Sequence, residues 1–429
     1  MSYKCPGIRK DSTLQDFAKR LDTTNTDVLL LTLEELDSYV TDAEDEDVAD
    51  ERISGLCQMI PRLMEIIATT GDEDILLRSL DMFIHITSGS WEQTEQAVEA
   101  GIIPLLIPVL SSDNDIVLDV TLAIFGNITD EGTQGRDLVL NSDILEPLES
   151  IIEDSEDEHL LQLVVHLLYN FCRFDPFPDF EKIEPFISPL CRAASSDEED
   201  IIVTSCRTLA LIAEKGGKRH IEQFADASLF ARLLDVVTGK RDVISTLTAR
   251  TLANLTAGSP SQIQVNAHGV VPAVHALVDS KVVPHVIKLH GVAGPKTLCE
   301  TLRVITNIID RGSEDHVRYL VAQGGVAGLC QVLDRELLLE QESSRGACLQ
   351  AMDRILRIGQ EDATRSGTGN AHAQMVQKSS GKSRRMEPGN AFEEGRPLGA
   401  VEKLTALKGE AKDEETRSRI ETLLKTYFP

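Results

Sequence analysis

The chain has 429 residues, 42% of them hydrophobic, and a formal net charge of −28 from 70 acidic against 42 basic residues. A chain this acidic repels phosphate backbones and anionic lipid, which excludes nucleic acid and membrane surfaces as natural partners and favours basic ligands or plain solubility. Aromatic residues make up only 4%, with one tryptophan, Trp91, so Leu, Ile, Val and Ala must build a core of the layered-helix kind rather than a sandwich or barrel.

The opening stretch MSYKCPGIRKDSTLQDF is too polar for a signal peptide. No apolar run reaches the roughly 18 residues that a membrane span needs, so an intracellular, soluble chain is expected. Residues 1–55 read as an acidic, helical N-terminal segment, in which DAEDEDVADE at 42–51 is a solvated linker or helix face.

From about residue 56 apolar helical runs recur, among them DMFIHITSGS, DVTLAIFGNITDE, VVHLLYNFCR, TARTLANLTAGS and TLRVITNIIDRG. Aligned on one position they place His85, Asn127, Asn170, Leu211, Asn254, Asn307 and Arg354 at intervals of 42, 43, 41, 43, 53 and 47. A period near 42 in seven copies falls in the range of armadillo and HEAT repeats. A second block follows at fixed offset, as in QTEQAVEAGIIPLLIPVL, GRDLVLNSDILEPLESII, KRHIEQFADASLFARLLDVV and SQIQVNAHGVVPAVHALV. Each reads as a short helix, a break at Gly or Asp, and a longer amphipathic helix, with Pro104, Pro147 and Pro272 near its start, where a missing N–H costs nothing.

Three helices per unit favour armadillo, because HEAT units have two. The predicted fold is all-α: a right-handed superhelical solenoid of three-helix armadillo repeats over 56–365, with the third helices lining its concave side. A buried amide without partners costs about 1–3 kcal/mol. An asparagine kept at one place on an apolar helix therefore either meets a ligand in a groove or bonds the backbone of the neighbouring repeat.

SKVVPHVIKLHGVAGPK at 280–296 reads as a protruding loop that accounts for the long interval before Asn307. Residues 366–399 are rich in Gly and Ser without helical period and read as a flexible linker, with a basic cluster KSSGKSRR at 378–385. Residues 400–429 read as a capping helix pair. The eight cysteines form no C-x-x-C pair and lie mostly in apolar runs, where a reduced cysteine acts as a small hydrophobe. H-E-x-x-H, P-loop and G-x-S-x-G motifs are absent, and His285 and His290 lack ligand spacing, so neither catalysis nor a metal or other cofactor is expected.

SGSWEQTEQAVEAGIIP, FGNITDEGTQGRDLVL, RILRIGQEDATRSGTGN and the ending IETLLKTYF resemble importin-α, the armadillo adaptor that carries nuclear-localisation signals. The resemblance runs from about residue 56 onward, with one internal repeat fewer. It implies an adaptor for basic-peptide cargo that works as a monomer in cytoplasm and nucleus. In that family the third helices carry Trp-x-x-x-Asn, whose asparagines bond the backbone of an extended peptide while the indoles sandwich its lysine stems. Asn127, Asn170, Asn254 and Asn307 match the asparagines, but Asp81, Ala123, His166, Arg207, Arg250 and Arg303 stand one turn before the aligned positions, where indoles would be.

The family's deepest lysine pocket maps onto Gly89 and Thr94, with Glu131 in place of an aspartate, and a second pocket maps onto Glu300. Gly89 and Thr94 read equally well as helix termination, and Arg303 as a partner of Glu300 one turn before it. Residues 1–50 hold only Lys4, Arg9, Lys10, Lys19 and Arg20 as cations, where the family has an Arg/Lys-rich helix for importin-β. Importin-β is therefore not expected as a partner, and an exportin at the C-terminal repeats is left open. The alternative reading is an armadillo scaffold that has left transport.

Overall fold

The computed structural model describes residues 13–43, 45–155, 157–194, 196–216, 242–257, 274, 277–278, 282–292, 294–332, 342–379, 399–411 and 413–429. Among the described residues its elements are helices, and the chain divides into two compact units, Met1–Ala193 and Ala194–Pro429.

The first unit opens with α1 (Leu14–Leu21) and α2 (Thr26–Thr41). Three-helix repeats follow: α3 (Glu46–Cys57), α4 (Ile60–Thr69) and α5 (Glu73–Thr87); α6 (Trp91–Glu99), α7 (Ile102–Leu106) and α8 (Asp115–Asp130); α9 (Thr133–Leu140), α10 (Leu145–Asp154) and α11 (Glu158–Arg173). The short α12 (Phe180–Ile183) and α13 (Ile187–Ala193) close it. Each third helix begins on an Asx cap: the side chains of Asp72, Asn114 and Asp157 accept from backbone N–H groups of the first turn, which would otherwise lack partners. Gly101, at φ +97°, turns the corner between α6 and α7 in a conformation that a side chain resists. Pro104 and Pro147 lie in the first turns of α7 and α10, as their missing N–H allows.

The third helices stack side by side, α5 on α8 and α8 on α11. Phe83, Ile86, Phe125, Ile128, Leu167 and Phe171 are buried in this stack, each burial being worth about 1.5–3 kcal/mol. Helix α2 packs on α5 in the same way, so the stack begins before residue 56. The acidic run at 42–51 divides between a short link and the first half of α3.

The second unit contains α14 (Glu199–Lys215), α15 (Asp242–Ala257), α16 (Val283–Val292), α17 (Pro295–Arg311), α18 (Glu314–Ala322), α19 (Gly325–Val332), α20 (Glu342–Ser366), α21 (Ala371–Lys378), α22 (Ala400–Glu410) and α23 (Glu414–Tyr427). Here α14, α15, α17 and α20 form the stack, and Ala194, Ile202, Cys206, Ile244 and Leu247 make a core cluster between the first two. Gly324, at φ +95°, repeats between α18 and α19 the corner that Gly101 makes. Residues 218–237, most of 261–278 with Pro272, and 380–385 of the basic cluster lie outside the described residues.

Two expectations are corrected. Residues 283–292 form a helix instead of a protruding loop, because Val283, Val286 and His290 recur at helical spacing and are buried. Residues 371–378, assigned from sequence to a flexible linker, form α21. Asn370 caps it by accepting from Ala373 N–H and donates to Leu356 O (2.9 Å), while His372 Nδ1 meets Ile355 O at 2.9 Å. The glycines that suggested disorder serve a tight turn, with Gly367 at φ +70°. Helices α22 and α23 pair with each other and pack on α21 and α20 respectively.

Candidate peptide-binding face

The aligned positions all fall on the helices of the two stacks, and the polar side chains among them form rungs between neighbours. Asn170 Nδ2 donates to Gly126 O (3.3 Å) and Thr129 Oγ1 (3.2 Å). Asn307 Nδ2 donates to Ala253 O (3.1 Å) and Thr256 Oγ1 (3.2 Å), and Asn254 Nδ2 to Ala210 O (3.2 Å). Asn127 Nδ2 donates to Thr87 Oγ1 and Ser88 Oγ, both at 3.1 Å. The acceptors sit one residue before and two or three after the preceding aligned position. The threonine hydroxyls there donate to their own helix, Thr87 to Phe83 O and Thr129 to Gly126 O, so each hydroxyl is fixed to accept the next amide. His85 closes the series by meeting Asp37 Oδ1 of α2 at 2.8 Å.

In Asn127, Asn170 and Asn307 both amide N–H groups are thus spent inside the fold, and what remains for a ligand is the carbonyl, while Asn254 spends one N–H. Asn127 and Asn307 are half-buried, and among the described residues nothing donates to their Oδ1. Asn170 is fully buried, and its Oδ1 has no partner. Asn254 is buried, with Oδ1 taken by Arg303 (3.0 Å). Of the four, Asn127 and Asn307 can accept an N–H from an extended chain.

Thr94 is buried, with its hydroxyl 3.5 Å from Thr87 O. Gly89 ends α5, and a Cβ there would overlap Gln93 Oε1. That oxygen cannot drift away, because it accepts from Ser90 N–H (2.9 Å) while Gln93 Nε2 donates to Asp50 Oδ1 (2.7 Å) and Ser54 Oγ (3.1 Å). Both residues therefore hold the α5–α6 corner. Glu131 caps the C-terminal end of α8 and is exposed, one turn beyond Asn127.

Glu300 is buried, and it is not free to receive a lysine: Oε1 accepts from Arg250 Nε (3.0 Å) and Oε2 from Arg303 (2.6 Å). The pairing of Arg303 with Glu300 expected from their spacing is present, and Arg250 joins it from the neighbouring helix.

The charge is unevenly divided. Residues 1–193 hold 12 Lys and Arg against 40 Asp and Glu, whereas residues 194–429 hold 30 of each, so the whole −28 belongs to the first unit. On the first unit's third helices, burial holds the Asp81 carboxyl above its ordinary range, Arg78 opposes this and Asp37 adds to it. Burial also lowers His166, which favours its neutral form. Sequence reading missed the threonines two residues past Asn127 and Asn254, although the N-x-T spacing was visible.

Burial pushes the Cys206 thiol up to about 11 and the Cys348 thiol up to about 12, which keeps both protonated at neutral pH. Among the described residues no His/Cys/Asp/Glu group could hold a metal, and no helix is long and apolar enough to cross a membrane.

No family model matches the chain. Importin subunit alpha-1b of Oryza sativa subsp. japonica is 24% identical over 364 residues, covering 75% of this chain and 66% of its own length. Importin subunit alpha-3 of Arabidopsis thaliana is 22% identical, with the same two coverages. The chain thus spans just under two thirds of the length of these relatives. Among solved structures, an engineered protein superposes on 96% of this chain and 88% of its own at a TM-score of 0.66 and 19% identity. A designed armadillo repeat protein superposes on 59% of this chain and 99% of its own at a TM-score of 0.48 and 19% identity.

Three-helix units with stacked third helices and amide rungs give the chain an all-α, armadillo-type repeat fold. In sequence the chain is similar to importin subunits alpha, at an identity of 22–24% to these two.

Proposed function

We propose that the chain is an adaptor that holds an extended, lysine-rich peptide along the third helices of its first unit, as a carrier of nuclear-localisation signals between cytoplasm and nucleus. The observation that carries this reading is the confinement of the −28 charge to the unit in which Asn127 keeps an open carbonyl beside the exposed Glu131. Asn127 Oδ1 accepts a main-chain N–H of the peptide, Glu131 receives a lysine, and the surrounding carboxylates concentrate the cation. Asn170, Thr94 and Gly89 keep these groups in register. Asn307 offers the same carbonyl in the second unit, but the Arg250–Glu300–Arg303 network beside it opposes a cationic chain.

A cation over an indole is worth about 0.5–2 kcal/mol. Without such walls the site is weaker by about 2–4 kcal/mol, or one to three decades of affinity. Calorimetric titration with a short lysine-rich peptide tests the reading. Asn127→Ala with Glu131→Ala should weaken binding about five- to thirtyfold, while Asn307→Ala should leave it within about twofold. A larger loss from Asn307→Ala would overturn the assignment to the first unit. No binding by the unsubstituted chain favours the scaffold reading, to which the spent amide donors and the missing indoles already point.

A further inference from the structure

We propose that the third helices of the second unit form a docking surface for an extended acidic peptide, read by Arg250 and Arg303 with Arg207 in the same register. Arg250, on α15, and Arg303, on α17, share the single carboxylate of Glu300. Their side chains are 47% and 46% exposed, whereas that of Glu300 is 11% exposed. Two guanidiniums against one carboxylate leave a positive surplus, and the surplus is on the solvent side. A guanidinium has five N–H donors in a fork that suits carboxylates. Arg250 spends Nε on Glu300, and Arg303 spends one terminal nitrogen on Glu300 and the other on Asn254 Oδ1, which leaves N–H groups on both for an incoming anion.

One step along the stack two more arginines flank a carboxylate, here without a direct ion pair. Asp310 stands among Arg311 of its own helix and Arg354 of α20; both lower its carboxyl against a larger upward push from burial. Arg311 is held by Thr256 O (3.1 Å), Arg354 by Gly312 O (2.7 Å), and Gln350 donates to Asp310 (3.3 Å). Arg207, on α14, is exposed at the position that Arg250 and Arg303 occupy on their helices. The unit as a whole is neutral, so the surplus on this face is local.

Packed helices lie about 8–10 Å apart and an extended chain rises about 3.3 Å per residue, so arginines on successive third helices match carboxylates about three residues apart. Asn307 Oδ1, open on the same face, can accept a main-chain N–H of that peptide. A nucleic acid fits less well, because its continuous charge cannot avoid Glu300 and Asp310, whereas carboxylates about three residues apart can. The proposal shares with the previous section the idea that third helices take an extended chain, but it fails separately, since a different peptide reads each unit.

The test is fluorescence anisotropy of the full chain with a labelled peptide carrying Glu at every third position between Gly and Ser. Binding should weaken severalfold between 50 and 150 mM salt. Glu300→Gln removes the competing charge yet keeps hydrogen-bonding atoms, and should tighten the acidic peptide about three- to tenfold. The triple variant Arg250→Gln, Glu300→Gln, Arg303→Gln leaves no unpaired carboxylate in the fold and should lose at least about tenfold, with a thermal midpoint that confirms folding. Unchanged or weaker binding by Glu300→Gln, or none by either form, overturns the proposal. So does displacement by an oligonucleotide of equal charge at lower concentration than the unlabelled peptide. A lysine-rich peptide should bind Glu300→Gln and the unsubstituted chain alike; a change there would count against the reading of the first unit instead.

Discussion

One turn before the aligned positions the first unit carries Asp81, Ala123 and His166, whereas the second carries Arg207, Arg250 and Arg303, on helices that stack in the same manner. The rungs differ little: Asn170 and Asn307 donate to the same two kinds of acceptor one helix back. The inward apolar residues and the amide rungs therefore set the stacking, and the outward face can change its sign without disturbing it. Where charge is exposed, as at Glu131, it costs the fold almost nothing. Where it is buried, as at Glu300, it has become part of the frame. A repeat array can diverge in its ligand while keeping its architecture because each layer contacts only its neighbours.

The sharpest way to break the comparison is charge reversal at its two carboxylates. Glu300→Lys would place three cations together in a buried site and should cost about 3 kcal/mol, since breaking a buried pair leaves uncompensated charge. Glu131→Lys, on an exposed helix end, should cost under about 0.5 kcal/mol. Thermal or urea unfolding of both variants checks the contrast, and equal losses would mean that the two sites are not buried differently.

Rung removal comes next. Asn170→Ala should cost about 1–3 kcal/mol, because a fully buried amide and two acceptors lose each other. Asn127→Ala, half-exposed, should cost about 0.5–1.5 kcal/mol, because water can replace the amide at Thr87 and Ser88. The order of the two midpoints is the readout, and the reverse order would refute the burial argument.

Gly89→Ala should cost about 1–2 kcal/mol by forcing Gln93 off Ser90, Asp50 and Ser54. Pairing it with Gln93→Ala clears the overlap, so the double variant should lose little beyond Gln93→Ala alone. Strict additivity in that cycle would place the cost elsewhere.

The smallest effect concerns Asp81. Its folded pKa lies above the ordinary 3.8, so the fold disfavours its charged form. That penalty is absent well below pH 3.8, where folded and unfolded chains are both protonated, and is complete once pH has risen through the folded value. Asp81→Asn should raise the midpoint slightly at pH 7 and leave it unchanged near pH 3, the gain being limited by partial solvent screening. A midpoint lowered at pH 7 would show that Arg78 outweighs burial.

Much of the architecture was legible because it is periodic. The recurring apolar runs align His85, Asn127, Asn170, Leu211, Asn254, Asn307 and Arg354, and all lie on the helices of the two stacks. Asp72, Asn114 and Asp157, each thirteen residues before its aligned position, are caps that the same periodicity could have revealed. Helices α16 and α21 were misread because Pro284 and the glycines at 367 and 369 look like breakers when their buried neighbours cannot be seen.

What the sequence determined by itself is the repeat: a recurring apolar spacing fixes which helix faces turn inward, because each layer must bury its stripe against the next. The charge partition is likewise a property of sequence once the boundary at Ala193 is known. What only the tertiary structure decided is the state of each polar atom. Asn127 and Asn170 are equivalent in pattern, yet one carbonyl is open and the other sealed. Glu131 and Glu300 are both carboxylates on third helices, yet only one is free. Those outcomes depend on hydroxyls and guanidiniums brought from helices some forty to fifty residues away, and a hydrogen bond across that separation leaves no trace in local spacing.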